Sequence, residues 1–222
     1  MTSRMIRRIV RSTRILAGLL SALAFGTVVQ AQTPLDTYLT QLKTLRADFA
    51  QTVTDGKGEV QKAQGTLIIV RPGRFRWELT PDGGSPQLMV ADGKNLWFYD
   101  RDLEQVSVKA ATAALTATPA GLLSGDGDIR ELFTVSSAGK SDGFDWVLVK
   151  PRESDADFRE ARLGFGPGSR QEGELKRMVL KDKLGQTVRL DFSRSERNPS
   201  VAESEVKFTP PPGADVIGTP TP

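Results

Sequence analysis

The side chains that most often carry enzyme chemistry are missing from this sequence, which contains no histidine and no cysteine. That removes Ser-His-Asp and Cys-His nucleophilic catalysis, a histidine general base and the usual zinc sites. Only carboxylate, lysine or tyrosine chemistry is left. No G-x-S-x-G turn, Walker loop or G-x-G-x-x-G before a helix occurs. Asp126, Asp128 and Glu131 cluster as in a calcium loop, but the remaining ligands of such a loop are absent, and a solvated turn accounts for them. A carboxylate pair for glycoside hydrolysis is a matter of spatial separation, which spacing along the chain does not settle.

Two segments stand out instead for apolar binding. In Arg71-Pro72-Gly73-Arg74-Phe75-Arg76-Trp77, the aromatics two residues apart point to one side of a strand and offer a broad, rigid apolar surface. Plain core is the alternative reading. Arg71 follows four apolar residues, so it stands at the rim of the buried face, where a solvated strand-end charge is the plain reading. In Asp92-Gly93-Lys94-Asn95-Leu96-Trp97-Phe98-Tyr99-Asp100, a turn leads into four apolar residues that suit either a buried strand or an aromatic pocket.

The elements that must position these residues are mostly strands. Residues 34–43 read as a helix, with Pro34 in its first turn and Leu35, Leu39 and Leu42 on one face. The period then changes to two. Strands are expected at 45–53, 65–70, 75–79, 87–91, 96–99 and 105–109. An Ala-, Leu- and Thr-rich insert at 110–124 contains a short helical turn begun by Pro119. Strands resume at 132–136, 146–150, 158–165, 175–181 and 187–193, and a last one at 207–209 is stopped by prolines. Segments such as 74–79 and 187–193 have one apolar and one charged face, which describes a single antiparallel sheet covered on one side and wet on the other. The fold expected is therefore mainly β: a curved sheet of about eleven strands with short helices laid over its concave side.

Residues 1–31 read as a secretory leader. Arg4, Arg7, Arg8, Arg11 and Arg14 precede 15 uncharged residues, and Val29-Gln30-Ala31 ends the run as a signal peptidase site would. A membrane span needs about 20 apolar residues, so cleavage after Ala31 is expected, leaving residues 32–222 as one domain. The whole chain has 30 Lys+Arg against 27 Asp+Glu, but five of the arginines and none of the acids lie in the leader. Residues 32–222 then carry 25 against 27, a net charge of −2 that does not favour nucleic acid. Without a cysteine the protein cannot itself carry a bacterial lipid anchor.

Taken in order, several motifs resemble the LolA family of periplasmic outer-membrane lipoprotein carriers. They are Phe49-Ala50-Gln51, Arg71-Pro72 followed by Phe75 and Trp77, Asp92-Gly93-Lys94 before Leu96-Trp97-Phe98-Tyr99, Thr118-Pro119-Ala120, Pro151 after the Trp146 strand, and Phe208-Thr209-Pro210-Pro211. The resemblance implies an incomplete, strongly curved antiparallel barrel with helices as a lid over an acyl-chain cavity. It implies a monomer without enzymatic activity or cofactor. Triacylated lipoproteins would come from an ATP-driven inner-membrane releasing complex and pass to an outer-membrane lipoprotein receptor. It implies that Arg71 latches the lid and that Phe75 takes part in loading. Strand alternation extends the expected lining to Phe49, Leu67, Phe75, Trp77, Leu88, Val90, Met178, Leu180, Leu190 and Phe192. A lipid-binding or lipoprotein-sensing module of the same fold is the alternative, since fold alone does not assign function.

Overall fold

The first helix forms because both of its ends are locally satisfied. The computed structural model describes residues 32–112, 118–153, 156–166 and 173–222. Helix α1 spans Pro34–Gln41, and Thr33 and Asp36 form a capping box at its start. The Asp36 carboxylate accepts from the Thr33 backbone N–H at 2.6 Å and from the Thr33 hydroxyl at 2.8 Å. The helix stops two residues before the expected Lys43. There the Asn198 side chain accepts from the N–H groups of Lys43 and Thr44 and donates to the Gln41 carbonyl, occupying the groups a further turn would use.

A change of period then produces two runs of antiparallel strands. The first comprises β1 (Thr44–Thr54), β2 (Val60–Val70), β3 (Arg74–Pro81), β4 (Gln87–Asp92), β5 (Asn95–Asp100) and β6 (Gln105–Ala110). Helices α2 (Pro119–Ser124) and α3 (Ile129–Leu132) follow. The second run is β7 (Phe133–Ser141), β8 (Phe144–Pro151), β9 (Phe158–Gly166), β10 (Glu174–Asp182) and β11 (Thr187–Arg197). β1 pairs with β11 from Leu45↔Arg197 to Thr54↔Thr187, which joins the runs into one curled sheet that remains open. A 3-10 turn at Glu203–Val206 and a short β12 (Asp215–Ile217) complete the chain.

The sheet has twelve strands, and the last, β12, pairs in parallel with β6 and forms an edge. Three residues with exposed side chains carry no periodic signal, so pairing rather than pattern makes this strand. Residues 207–209, expected as a strand, are not one.

The inner face packs under the helices in one large core that includes Leu35 and Leu39 of α1, Leu122 and Leu123 of α2, and Phe75, Leu163, Met178 and Leu190 of the sheet. The outer face is not wet throughout, contrary to expectation. Over β4, β5 and β6 it carries a second core of Leu88, Val90, Trp97, Val106 and Val108, closed by Phe208 from the C-terminal segment. The Phe208 ring lies 5.7 Å from that of Trp97 and 6.0 Å from that of Tyr99. Arg46 binds both Glu205 carboxylate oxygens, at 3.2 and 2.8 Å, and holds the start of this segment against β1.

Gly65 shows where the sheet is tightest. A Cβ there would lie 2.1 Å from the Glu78 carbonyl oxygen and 2.4 Å from the Phe49 ring, so only glycine admits this approach.

Candidate functional site

Among the described residues, polar contacts fasten the helices over the inner face at several points. Three of them meet near Arg71, which stands between β2 and β3. Its backbone N–H donates to the Lys43 carbonyl at 2.9 Å, and the Gly73 N–H donates to the Ser124 carbonyl at 2.7 Å. The Arg71 guanidinium donates to the Leu123 carbonyl at 3.4 Å, in the last turn of α2 where helix carbonyls lack partners. Burial pushes this guanidinium below its ordinary value, and the nearby Asp126 charge acts in the other direction.

A second fastening joins α1 to α3. Arg130 donates to the Asp36 carboxylate at 2.8 Å and to the Val135 carbonyl at 3.0 Å. The Arg130 and Asp36 side chains are each 18% exposed. Burial alone would push the Asp36 carboxyl up, but hydrogen bonds from Arg130 and Thr33 outweigh it and hold the group below its ordinary value. Asp128, in the clustered acids, caps α3 by accepting from the Arg130 N–H at 2.8 Å, so it serves the helix. Among the described residues no cluster of three or more acids could hold a metal ion.

Two openings lie between the helices and the sheet. One, of about 310 Å³, is polar and apolar in near-equal parts and is lined by Asp36, Leu39, Thr40, Arg71, Gly127, Asp128, Ile129 and Arg130. The other, of about 370 Å³, lies beside Thr118, Pro119 and Ala120. It is mostly apolar, with Trp77, Leu79, Met89, Phe158, Leu180 and Val188 in its wall and Gln51, Asp157 and Asp182 among its polar members.

Eight of the ten expected lining residues share the inner core: Phe49, Leu67, Phe75, Trp77, Met178, Leu180, Leu190 and Phe192. Most are closed off, and only Trp77 and Leu180 reach the apolar opening. Leu88 and Val90 are a correction. They belong to the outer core, while Met89 and Ala91 of the same strand face inward opposite Trp77 and Phe75.

Comparison with known proteins agrees with this architecture. The family described as "Outer membrane lipoprotein carrier protein LolA" matches residues 40–209. The chain belongs to the LolA family. An outer-membrane lipoprotein carrier protein of Dechloromonas aromatica is 42% identical over 182 residues, covering 82% of this chain and 84% of that one. One from Chromobacterium violaceum is 39% identical over 201 residues, covering 90% and 94%. A LolA superfamily protein from Nitrosomonas europaea of known structure has a TM-score of 0.52 at 12% identity, covering 81% of this chain and 98% of that one, and it shows the fold alone. Membership places the chain among lipoprotein carriers rather than enzymes.

For a LolA-family lid, the Asp36–Arg130 pair is what sequence reasoning missed. Its partners are 94 residues apart, and nothing in local spacing connects them. The T-x-x-D capping pattern at Thr33–Asp36 could have flagged Asp36 as a helix cap, but not as an ion-pair partner.

Proposed function

We propose that this chain works in the periplasm as a carrier that shields the acyl chains of lipoproteins. It takes them from an ATP-driven releasing complex of the inner membrane and hands them to an outer-membrane receptor that is itself a lipoprotein. One observation carries the reading: an open sheet buries a continuous apolar face beneath short helices joined to it by hydrogen bonds and an ion pair. Acyl chains gain about 0.8 kcal/mol per buried CH₂ without needing polar partners. A lid tied by hydrogen bonds worth about 0.5–1.5 kcal/mol each can open at modest cost. The chain supplies no nucleotide-binding motif, so the direction of transfer comes from the partners' relative affinities.

In this reading residues 1–31 are a leader removed after Ala31, and Arg71 is the latch between sheet and lid. N-terminal sequencing of the exported protein tests the first point, and a start more than a few residues from Gln32 refutes it. The carrier function is tested by mass spectrometry of protein purified from the periplasm. Bound triacylated lipoprotein supports it. Free phospholipid alone would favour a lipid-binding module of the same fold.

A further inference from the structure

The two edges of the sheet are unlike. One is β12, three residues long, and the other is β7, nine residues long, of which only Phe133 and Val135 are buried. An unpaired edge is a template for another extended chain, and proteins usually blunt it with prolines, charges, bulges or brevity. Over its first five residues β7 has none of these. Phe133-Thr134-Val135-Ser136-Ser137 carries no proline and no charge, and the bulge and Lys140 come only after Ser137.

The ladder with β8 fixes which backbone groups of β7 point outward. The Arg152 N–H donates to the Leu132 carbonyl at 2.9 Å, which makes these two a hydrogen-bonded pair. Bonded and non-bonded pairs alternate along an antiparallel ladder. Thr134↔Lys150 and Ser136↔Leu148 therefore bond to each other, while Phe133↔Pro151, Val135↔Val149 and Ser137↔Val147 turn their N–H and C=O groups away. Pro151, which has no N–H to give, stands at a non-bonded position, in keeping with this phase. On the outer side the Phe133 N–H donates to the Ile129 carbonyl, and the Val135 carbonyl accepts from the Arg130 guanidinium at 3.0 Å. Among the described residues no strand pairs with this side of β7.

Arg130 connects the free edge to the interior. It lines the opening of about 310 Å³ together with Asp36, Arg71 and Leu39, and Leu39 belongs to the inner core. A smaller, mostly apolar pocket shares Leu39, Arg71, Asp128 and Ile129 with that opening and reaches Phe133, the first residue of β7. One wall thus runs from the apolar core through a half-polar mouth to the edge strand. An acylated protein presents both kinds of group at once. Its chains seek the core, and its polypeptide must leave by a mouth where amide groups keep polar partners.

We propose that β7 is the docking strand for the polypeptide that follows the acylated cysteine of the cargo. That segment adds to the sheet as a further strand, through backbone hydrogen bonds to Val135 and Ser137. The incoming chain takes the Val135 carbonyl over from Arg130. Because backbone groups alone are read, the site accepts segments of many sequences. This deepens the carrier reading and rests on it.

Two probes presented in detergent micelles test this: tripalmitoyl-cysteine alone, and the same group followed by a short dansyl-labelled peptide. Both are expected to be taken up. Only the lipopeptide is expected to slow hydrogen exchange of the Val135 and Ser137 amides, by about tenfold or more, as read residue by residue by NMR. Lipopeptides N-methylated at the second and fourth peptide residues, or at the third and fifth, lose donors on opposite edges of the extended chain. One set is expected to dissociate roughly 2- to 10-fold faster and the other at the unmodified rate. Ser137→Pro removes an outward N–H without touching a bond to β8, and it is expected to speed release of the unmodified lipopeptide by a similar factor. The methylated probes test the same bonds in the unsubstituted protein should that variant not fold. Unchanged exchange at Val135 and Ser137, or equal dissociation of the two methylated sets, overturns the docking strand. Protection that follows protein concentration rather than lipopeptide assigns the edge to a second copy of the chain and overturns it too. Failure to take up either probe overturns the carrier reading itself, whereas uptake of both with the edge unaffected overturns the docking strand alone.

Discussion

Replacing Arg130 by Met and Asp36 by Asn, singly and together, isolates the contact that ties α1 to α3. Asparagine keeps an oxygen that can accept from Thr33, so the helix cap survives and the cycle reads the ionic coupling. A charge-assisted hydrogen bond contributes about 1.5–3 kcal/mol when its partners are shielded from water. Each side chain keeps 18% of its surface exposed, so solvent recovers part of that, and the expected coupling is about 1–2 kcal/mol. Urea unfolding at neutral pH measures it. The contribution also depends on pH. The Asp36 carboxyl has an ordinary value of 3.8 and is held lower when folded. The folded state therefore binds fewer protons than the unfolded chain in this range. The stabilisation is complete above the ordinary value and disappears as pH falls through the lowered one. Hydrogen exchange at neutral pH should show faster opening of α1 and α3 in Arg130→Met, with smaller changes in β9 and β10. A coupling below about 0.5 kcal/mol would place the pair with ordinary surface ion pairs and refute its role as a lid fastening.

Three further outcomes are expected. Arg71→Leu removes one long hydrogen bond, so stability should change by less than about 1 kcal/mol while transfer of loaded lipoprotein to the receptor slows; transfer at the unsubstituted rate would return Arg71 to a solvated strand-end charge. Gly65→Ala places a methyl group against Glu78 and Phe49, and urea unfolding should show a loss of about 1–3 kcal/mol or more, with an unchanged midpoint contradicting the tight approach at this bend. Phe75→Ala empties a fully buried site and should cost about 3–5 kcal/mol in the same measurement; a cost near zero would mean that Phe75 faces an open cavity in the resting protein.

Much of this protein follows from local pattern. Pro34 and the spacing of Leu35 and Leu39 produce α1, and Thr33 with Asp36 starts it. Alternation in Arg74–Leu79 and Val188–Phe192 makes strands with one buried face, because successive side chains on a strand point to opposite sides. The lack of histidine and cysteine removes the commonest catalytic sites on composition alone. Pattern fails where both faces of a strand are apolar. In β4, Leu88 and Val90 point one way and Met89 and Ala91 the other, so the sequence alone offers two equal registers. The choice is made by neighbours. β3 places Phe75 and Trp77 opposite Ala91 and Met89, and Phe208, more than a hundred residues away, helps cover the other side. Tertiary structure likewise brings Arg130 to Asp36 and Asn198 to the end of α1. Such contacts depend on where the sheet curls and on which distant segment covers which face. Those are properties of the packed chain, and periodicity along a single segment carries no record of them.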